Sequence, residues 1–315
     1  MGTPEFAVCS LEKLIVKLYN VVAVVTVPDK PAGRGQKLSQ SAVKEFALKN
    51  NLPVLQPEKL KDEQFLSQLK SFDADLFIIV AFRMLPEIVW KMPKLGTFNL
   101  HGSLLPQYRG AAPINHAVIN GEKETGVTTF FIEQQIDTGN ILFSTKISIG
   151  ENETTGQVHD RLMVTGADLV LKTVDAIAEN KAILVKQENL IGNVELKPAP
   201  KIFKEHCKID WKQNGQTIHN LIRGLSPYPS AWTELVSIEP ESQPILFKIF
   251  ESEFIVTPHQ LNIGEIICDG KTILEIAVHD GFIRLKNIQL AGRKILNIDQ
   301  FLQGFNISKY QLAGI

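Results

Sequence analysis

Thr97-Phe98-Asn99-Leu100-His101-Gly102-Ser103-Leu104-Leu105-Pro106 reads as the end of a strand, Thr97 to Leu100, followed by a sharp turn. Side chains at i and i+2 of a strand leave the same face, so Asn99 and His101 project together. Gly102 and Pro106 stop the strand and turn the chain over a sheet edge. Outside the carboxyl ends of the strands is where open α/β sheets bind ligands. A second apolar run, Val127 to Ile132, leads into Gln134-Gln135-Ile136-Asp137-Thr138-Gly139, a turn able to bring Asp137 to the same edge. Working outward, Val21 to Val27 is a continuous β-branched run, the mark of a strand buried on both faces. Asp75 to Ala81 is another strand. Helices are expected over 41–50, 62–71 and 155–179, the last with apolar residues at mostly helical spacing. At the start, Thr3 is placed as an N-cap and Pro4 at the first helical position of a helix to about Leu18. Strands alternating with helices predict a mostly parallel, doubly wound, Rossmann-like sheet.

An amide, an imidazole and a carboxylate at one edge suit acyl-type transfer. Attack of an amine on an amide-like carbonyl builds an oxyanion, which needs preorganised donors; Asn99 and a protonated His101 supply them. The leaving nitrogen gains a proton and the attacking one loses a proton, work for a group titrating near neutrality. Asp137, directly or through a water, would favour the imidazolium and hold its tautomer. The same spacing also suits a structural trio: Asn99 at a strand end, His101 satisfied in a core and Asp137 opening a turn.

The run His101 to Asn115 (HGSLLPQYRGAAPIN), with Asn99 before it and Ile136 to Gly139 (IDTG) after it, resembles the 10-formyltetrahydrofolate-dependent formyltransferases. The resemblance implies that Asn99, His101 and Asp137 are catalytic and that Ser103, Leu104, Leu105 and Pro106 form the folate-binding loop. It makes 10-formyltetrahydrofolate the co-substrate, with no metal. Gly2 to Phe6, the loop Pro28 to Ser39 (PDKPAGRGQKLS), Ile209-Asp210-Trp211 and Pro227 to Trp232 are similar to the branch that formylates methionyl initiator tRNA. By that likeness Lys30, Arg34 and Lys37 are tRNA-binding, basic groups for phosphates at the acceptor end; a solvated basic loop is the plainer reading. Gly33-Arg34-Gly35 completes neither a dinucleotide fingerprint nor a P-loop. Relatives carry a short apolar strand before Gly2, central in the sheet. This sequence begins where that strand should end, and a start codon placed too late is favoured over truncation. A formyltransferase acting on a nucleotide amino-sugar or on glycinamide ribonucleotide keeps the trio and changes the acceptor. A non-catalytic RNA-binding protein is the rival from another class.

Length, 315 residues, favours two domains. The expected partition is a catalytic domain over 1–180, a linker over 181–200 ending in Lys197-Pro198-Ala199-Pro200, and a tRNA-binding domain over 201–315. In the last, five short strand-like runs (231–238, 245–249, 263–267, 273–278 and 281–285) predict a small OB-type β-barrel. Basic residues number 33 against 34 acidic, so the overall charge announces no nucleic acid and any tRNA contact is local. Arg284, Lys286, Arg293 and Lys294 are candidates for one basic face, or for a solvated edge. Cys9, Cys207 and Cys268 are too scattered for a disulfide framework or zinc site. No secretory signal precedes the first helix and no apolar run is long enough to span a membrane. A monomeric cytoplasmic enzyme is the expectation.

Overall fold

The structure, a computed structural model, describes residues 1–32, 37–192, 194–239 and 243–315. Two compact units divide it: residues 1–113, 125–147 and 160–198, and residues 114–124, 148–159 and 199–315. Among the described residues no helix is long and apolar enough to cross a membrane.

In the first unit, helix α1 (Glu5–Val16) starts one residue later than expected: Pro4, not Thr3, is the cap, and its carbonyl accepts from the Ala7 N–H at 2.9 Å. It stops before Leu18, whose φ of 61° breaks the helical path. Of the Val21–Val27 run only β1 (Val24–Val25) enters a ladder, parallel to β4 (Val54–Leu55). Between them β2 (Lys30–Ala32) and β3 (Lys37–Ser39) form an antiparallel ribbon where the sequence suggested a loop. Helix α2 (Ala42–Lys49) is capped by the Ser41 hydroxyl, and α3 (Glu63–Ser71) by Asp62. β5 (Phe77–Val80) runs parallel to β6 (Thr97–His101), with α4 (Glu87–Trp90) between them. After α5 (Pro113–Ile119), β7 (Glu124–Phe131) pairs antiparallel with β6, His101 opposite Thr128 and Asn99 opposite Phe130. β8 (Ile141–Ser148) lies beyond β7, and α6 (Thr155–Ala178) follows it.

Met1 and Gly2 lie between the two ladders. The Gly2 N–H donates to the Val25 carbonyl and the Val80 N–H to the Met1 carbonyl, each at 3.0 Å. A Cβ on Gly2 would stand 2.7 Å from the Val80 carbonyl oxygen, so the close approach admits no side chain there. These bonds link β4-β1 to β5-β6-β7-β8 as one mixed sheet. Val25, Leu55, Phe65, Leu69, Phe77, Ile79 and Val89 pack on it as a buried cluster.

The second unit is a curved antiparallel sheet of barrel-like form, in the order β11-β12-β13-β10-β9-β15. Its strands are β9 (Ala231–Ser237), β10 (Ile245–Val256), β11 (Ile266–Cys268), β12 (Leu274–Val278), β13 (Gly281–Leu290), β14 (Leu296–Asn297) beside β13, and β15 (Tyr310–Leu312). The register slips between Ile249 and Ser252, a bulge of the kind that bends a long strand. Helix α7 (Gly215–Leu225) buries Ile218, Ile222 and Leu225 against Phe247, Ile249, Ile276 and Ile283. Its Gly224 carbonyl accepts from Asn115 Nδ2 and Thr155 Oγ1, both at 2.8 Å, which ties residues 114–124 and 148–159 to this unit. Helix α8 (Ile298–Gly304) adds Phe301 to the core. Of the four residues that could form a basic face or a solvated edge, two are ion-paired: Arg284 with Glu275 and Lys286 with Glu253, across neighbouring strands.

Candidate active site

His101 is the last residue of β6 and only 6% exposed. Its Nε2 lies 2.8 Å from the Tyr108 carbonyl. A carbonyl only accepts, so Nε2 carries a proton. The other nitrogen, Nδ1, faces Asp137 Oδ2 at 3.9 Å, longer than a direct hydrogen bond. The Phe130 ring meets the imidazole edge-on, 6.4 Å between centroids. Asn99, two residues earlier on the same strand face, is partly buried. The structure thus brings His101 and Asp137 together, with Asn99 one pleat away.

Two loops hold this arrangement, and each contains a non-glycine residue in the left-handed region: Tyr108 (φ 59°) and Asp137 (φ 54°). Such conformations persist only where surrounding structure fixes them. Tyr108 N–H donates to the Lys197 carbonyl at 2.8 Å. Asp137 Oδ2 accepts from the Gly110 N–H at 3.1 Å, so the carboxylate also ties the two loops to each other. Gly139 packs so tightly that a Cβ would stand 1.7 Å from the Phe131 carbonyl oxygen.

The expected folate loop turns much of itself inward. Ser103 is fully buried and donates to the Gln107 carbonyl at 2.6 Å. Leu105 lies in a small core with Phe130 and Ile141. Pro106 is buried and Leu104 partly so. Lys30 is exposed on β2; Arg34 and the side chain of Lys37 lie outside the described residues. Behind that ribbon, Asp29 accepts from Lys44 at 2.5 Å and Gln56 at 2.8 Å, bonds that hold its carboxyl below the usual range. Among the described residues no group of three or more His, Cys, Asp and Glu could hold a metal ion.

Pattern reading missed Gln187, in the 3₁₀ turn Gln187–Leu190, which is 2% exposed and hydrogen-bonded to both loops. A lone amide in an aperiodic segment gives no periodic signal. The Tyr108 carbonyl was likewise invisible, since backbone partners leave no mark in residue types.

Residues 2–174 match the formyl transferase family, and residues 201–306 match the family's C-terminal domain. The chain belongs to the formyl transferase family. Within it, the chain is similar to the methionyl-tRNA formyltransferase of Bacteroides thetaiotaomicron, 56% identical over 308 residues that cover 98% of this chain and 95% of that one. The methionyl-tRNA formyltransferase of Flavobacterium johnsoniae is 52% identical over 308 residues, 98% and 96% of the two chains. Among solved structures, a sugar 3N-formyl transferase with dTDP and 5-N-formyl-THF superposes with a TM-score of 0.65 at 23% identity, covering 93% and 97% of the chains. An N-formyltransferase from Helicobacter canadensis, in complex with folinic acid and dTDP-3-aminofucose, gives 0.62 at 24% identity, covering 90% and 96%. At those identities the likeness establishes the shared fold.

Proposed function

We propose that the chain transfers the formyl group of 10-formyltetrahydrofolate to the amino group of methionyl initiator tRNA. The observation that carries this reading is the His101–Asp137 pair at the sheet edge, in a chain more than half identical to methionyl-tRNA formyltransferases. The amine adds to the formyl carbon and the carbonyl oxygen becomes an oxyanion. The bond from that carbon to N10 then breaks, N10 takes a proton and the attacking nitrogen releases one. Net, a formyl group and a hydrogen change places. Asn99 donates to the oxyanion, and so does a protonated His101 through Nδ1–H before that proton is passed on. Because Nε2 is already bound to the Tyr108 carbonyl, the nitrogen left for proton transfer is Nδ1, beside Asp137. Asp137 orients that ring and a proton-relaying water. Ser103 to Pro106 form the folate loop of this reading, with the Ser103 hydroxyl and Leu105 facing inward and the Ser103 carbonyl and Leu105 N–H both bonded to Thr128 Oγ1.

In this reading residues 1–180 carry the reacting groups, 181–200 connect and brace the site through Gln187, and 201–315 bind tRNA, with Lys30, Arg34 and Lys37 at the acceptor end. The enzyme acts as a monomer in the cytoplasm. Support for a nucleic-acid surface in the second half comes from Lys201 over the Phe203 ring (5.4 Å to its centroid) and from Lys204 over Trp232 (5.8 Å). Cations and aromatic faces together suit phosphates and bases. The test is turnover of the purified chain with 10-formyltetrahydrofolate and either methionyl initiator tRNA or a dTDP-linked amino-sugar. Formylation of the tRNA alone is expected; formylation of the sugar alone would transfer the site to a small-amine enzyme.

A further inference from the structure

Gln187 touches neither His101 nor the carboxylate of Asp137, yet its whole carboxamide is used on the loops that place them. Its Nε2 donates to the carbonyls of Asp137 and Gly139, both at 2.9 Å. Its Oε1 accepts from Arg109 Nε at 3.0 Å and Nη2 at 2.7 Å. A side-chain amide has two hydrogens and two lone pairs to offer, and all four are used. Nothing in packing alone asks for an amide here. A buried amide is tolerated only when paired, and an apolar side chain of the same volume would fill the space without that demand.

The two ends of the clamp matter because of what they carry. On one side is the turn with Asp137 in its left-handed conformation and Gly139 pressed against the Phe131 carbonyl. On the other is Arg109, the neighbour of Tyr108, whose carbonyl takes His101 Nε2. Through these two segments one amide fixes what His101 meets at each nitrogen: carboxylate at Nδ1, carbonyl at Nε2. The Gly110 N–H bond to Asp137 Oδ2 closes the ring of contacts.

We infer that Gln187 is a positioning residue for formyl transfer, holding the Asp137 turn beside His101 Nδ1. This rests on the roles assigned to Asn99, His101 and Asp137 above. The donor–acceptor polarity of the clamp makes the role separable from space-filling. In Gln187→Glu the side chain still accepts from Arg109, more strongly than before. It presents no donor to the two carbonyls and sets its own lone pairs against them. Gln187→Met keeps the volume and offers neither contact.

The test is steady-state kinetics of the full chain with 10-formyltetrahydrofolate and methionyl initiator tRNA, for wild type, Gln187→Glu, Gln187→Met and Asp137→Asn, with thermal unfolding of each. Displacement of a reacting group by a fraction of an ångström is expected to lower kcat about ten- to a hundredfold in both Gln187 variants. KM for either substrate should stay within about twofold, since uniform binding is untouched. Glu should fail to rescue what Met loses. If the Met variant does not fold, the Glu variant, matched in volume and still paired to Arg109, decides. A Gln187→Glu enzyme with wild-type kcat, or one changed in KM alone, overturns the inference provided Asp137→Asn is slow. Should Asp137→Asn itself turn over normally, the fault lies with the underlying site assignment.

Discussion

At His101 one imidazole is fixed from two sides, and the chemistry follows from which nitrogen each side occupies. The Tyr108 carbonyl claims Nε2 and leaves Nδ1 facing Asp137 at 3.9 Å, so Nδ1 is the nitrogen open to the proposed proton transfer. Asn99 is the other donor proposed for the oxyanion. Its replacement in Asn99→Ala should lower kcat roughly a hundredfold or more while KM for folate moves little, as loss of an oxyanion donor does elsewhere; an unchanged kcat would remove Asn99 from the reaction. Gly139 makes a second prediction at this scale. A Cβ there meets the Phe131 carbonyl oxygen, so Gly139→Ala must shift the turn, at about 1–3 kcal/mol of stability. Thermal unfolding of that variant checks it, and an unaltered melting temperature would contradict the packing described. The common face of Asn99 and His101 was legible because strand period is a geometric constant. Asp137 was legible as a turn residue able to reach the same edge, and the resemblance pointed to the same residue. Gln187 was not legible, because a hydrogen bond between segments 50 residues apart leaves no local pattern.

Elements show where pattern and pairing part company. The Val21–Val27 run is apolar enough for seven strand residues, yet its partner β4 offers two, and the ladder is only as long as the shorter strand. The ribbon of β2 and β3 hid behind prolines and glycines, and β15 is too short for alternation to register. Helix α7 is capped by Asn214, whose side chain accepts from the Thr217 N–H at 2.8 Å. Asn214→Ala should cost about 1 kcal/mol, measured by denaturant unfolding. The same helix carries His219, 3% exposed, bonded to Ser252 Oγ at 3.0 Å and near the Glu151 carbonyl at 3.4 Å. Burial, then the Arg223 guanidinium on the same helix, hold its imidazole below the ordinary value, against the Glu151 contact and the charge of Glu253 on β10. The unfolded chain therefore binds more protons just below about pH 6.5 than the folded one. This contribution to stability is complete above that pH and is lost as pH falls through the folded value. Melting temperatures between neutrality and about pH 5 should fall more steeply for wild type than for His219→Gln, and parallel curves would contradict the sign.

For the whole molecule, a net charge of −1 offers tRNA no general attraction, so binding rests on local groups. Lys201 and Lys204, poised over aromatic rings, are the ones the geometry favours over Arg284 and Lys286, which are matched by Glu275 and Glu253. Each of Lys201→Ala and Lys204→Ala should reduce the slope of log affinity for tRNA against log salt by about one, measured by filter binding; unchanged slopes would move the tRNA surface elsewhere. The two-part architecture was legible from alternation in the first half and short, regularly spaced strands in the second. That residues 114–124 and 148–159 belong with the second unit was not, because their shared anchor, the Gly224 carbonyl, lies 109 residues from Asn115 and 69 from Thr155. The most direct measurement is single-turnover formyl transfer from 10-formyltetrahydrofolate to methionyl initiator tRNA, comparing wild type with His101→Ala under saturating enzyme. A rate roughly a hundredfold lower or worse is expected in the variant, with tRNA still bound; transfer at the wild-type rate would show that the imidazole at the end of β6 takes no part in the reaction.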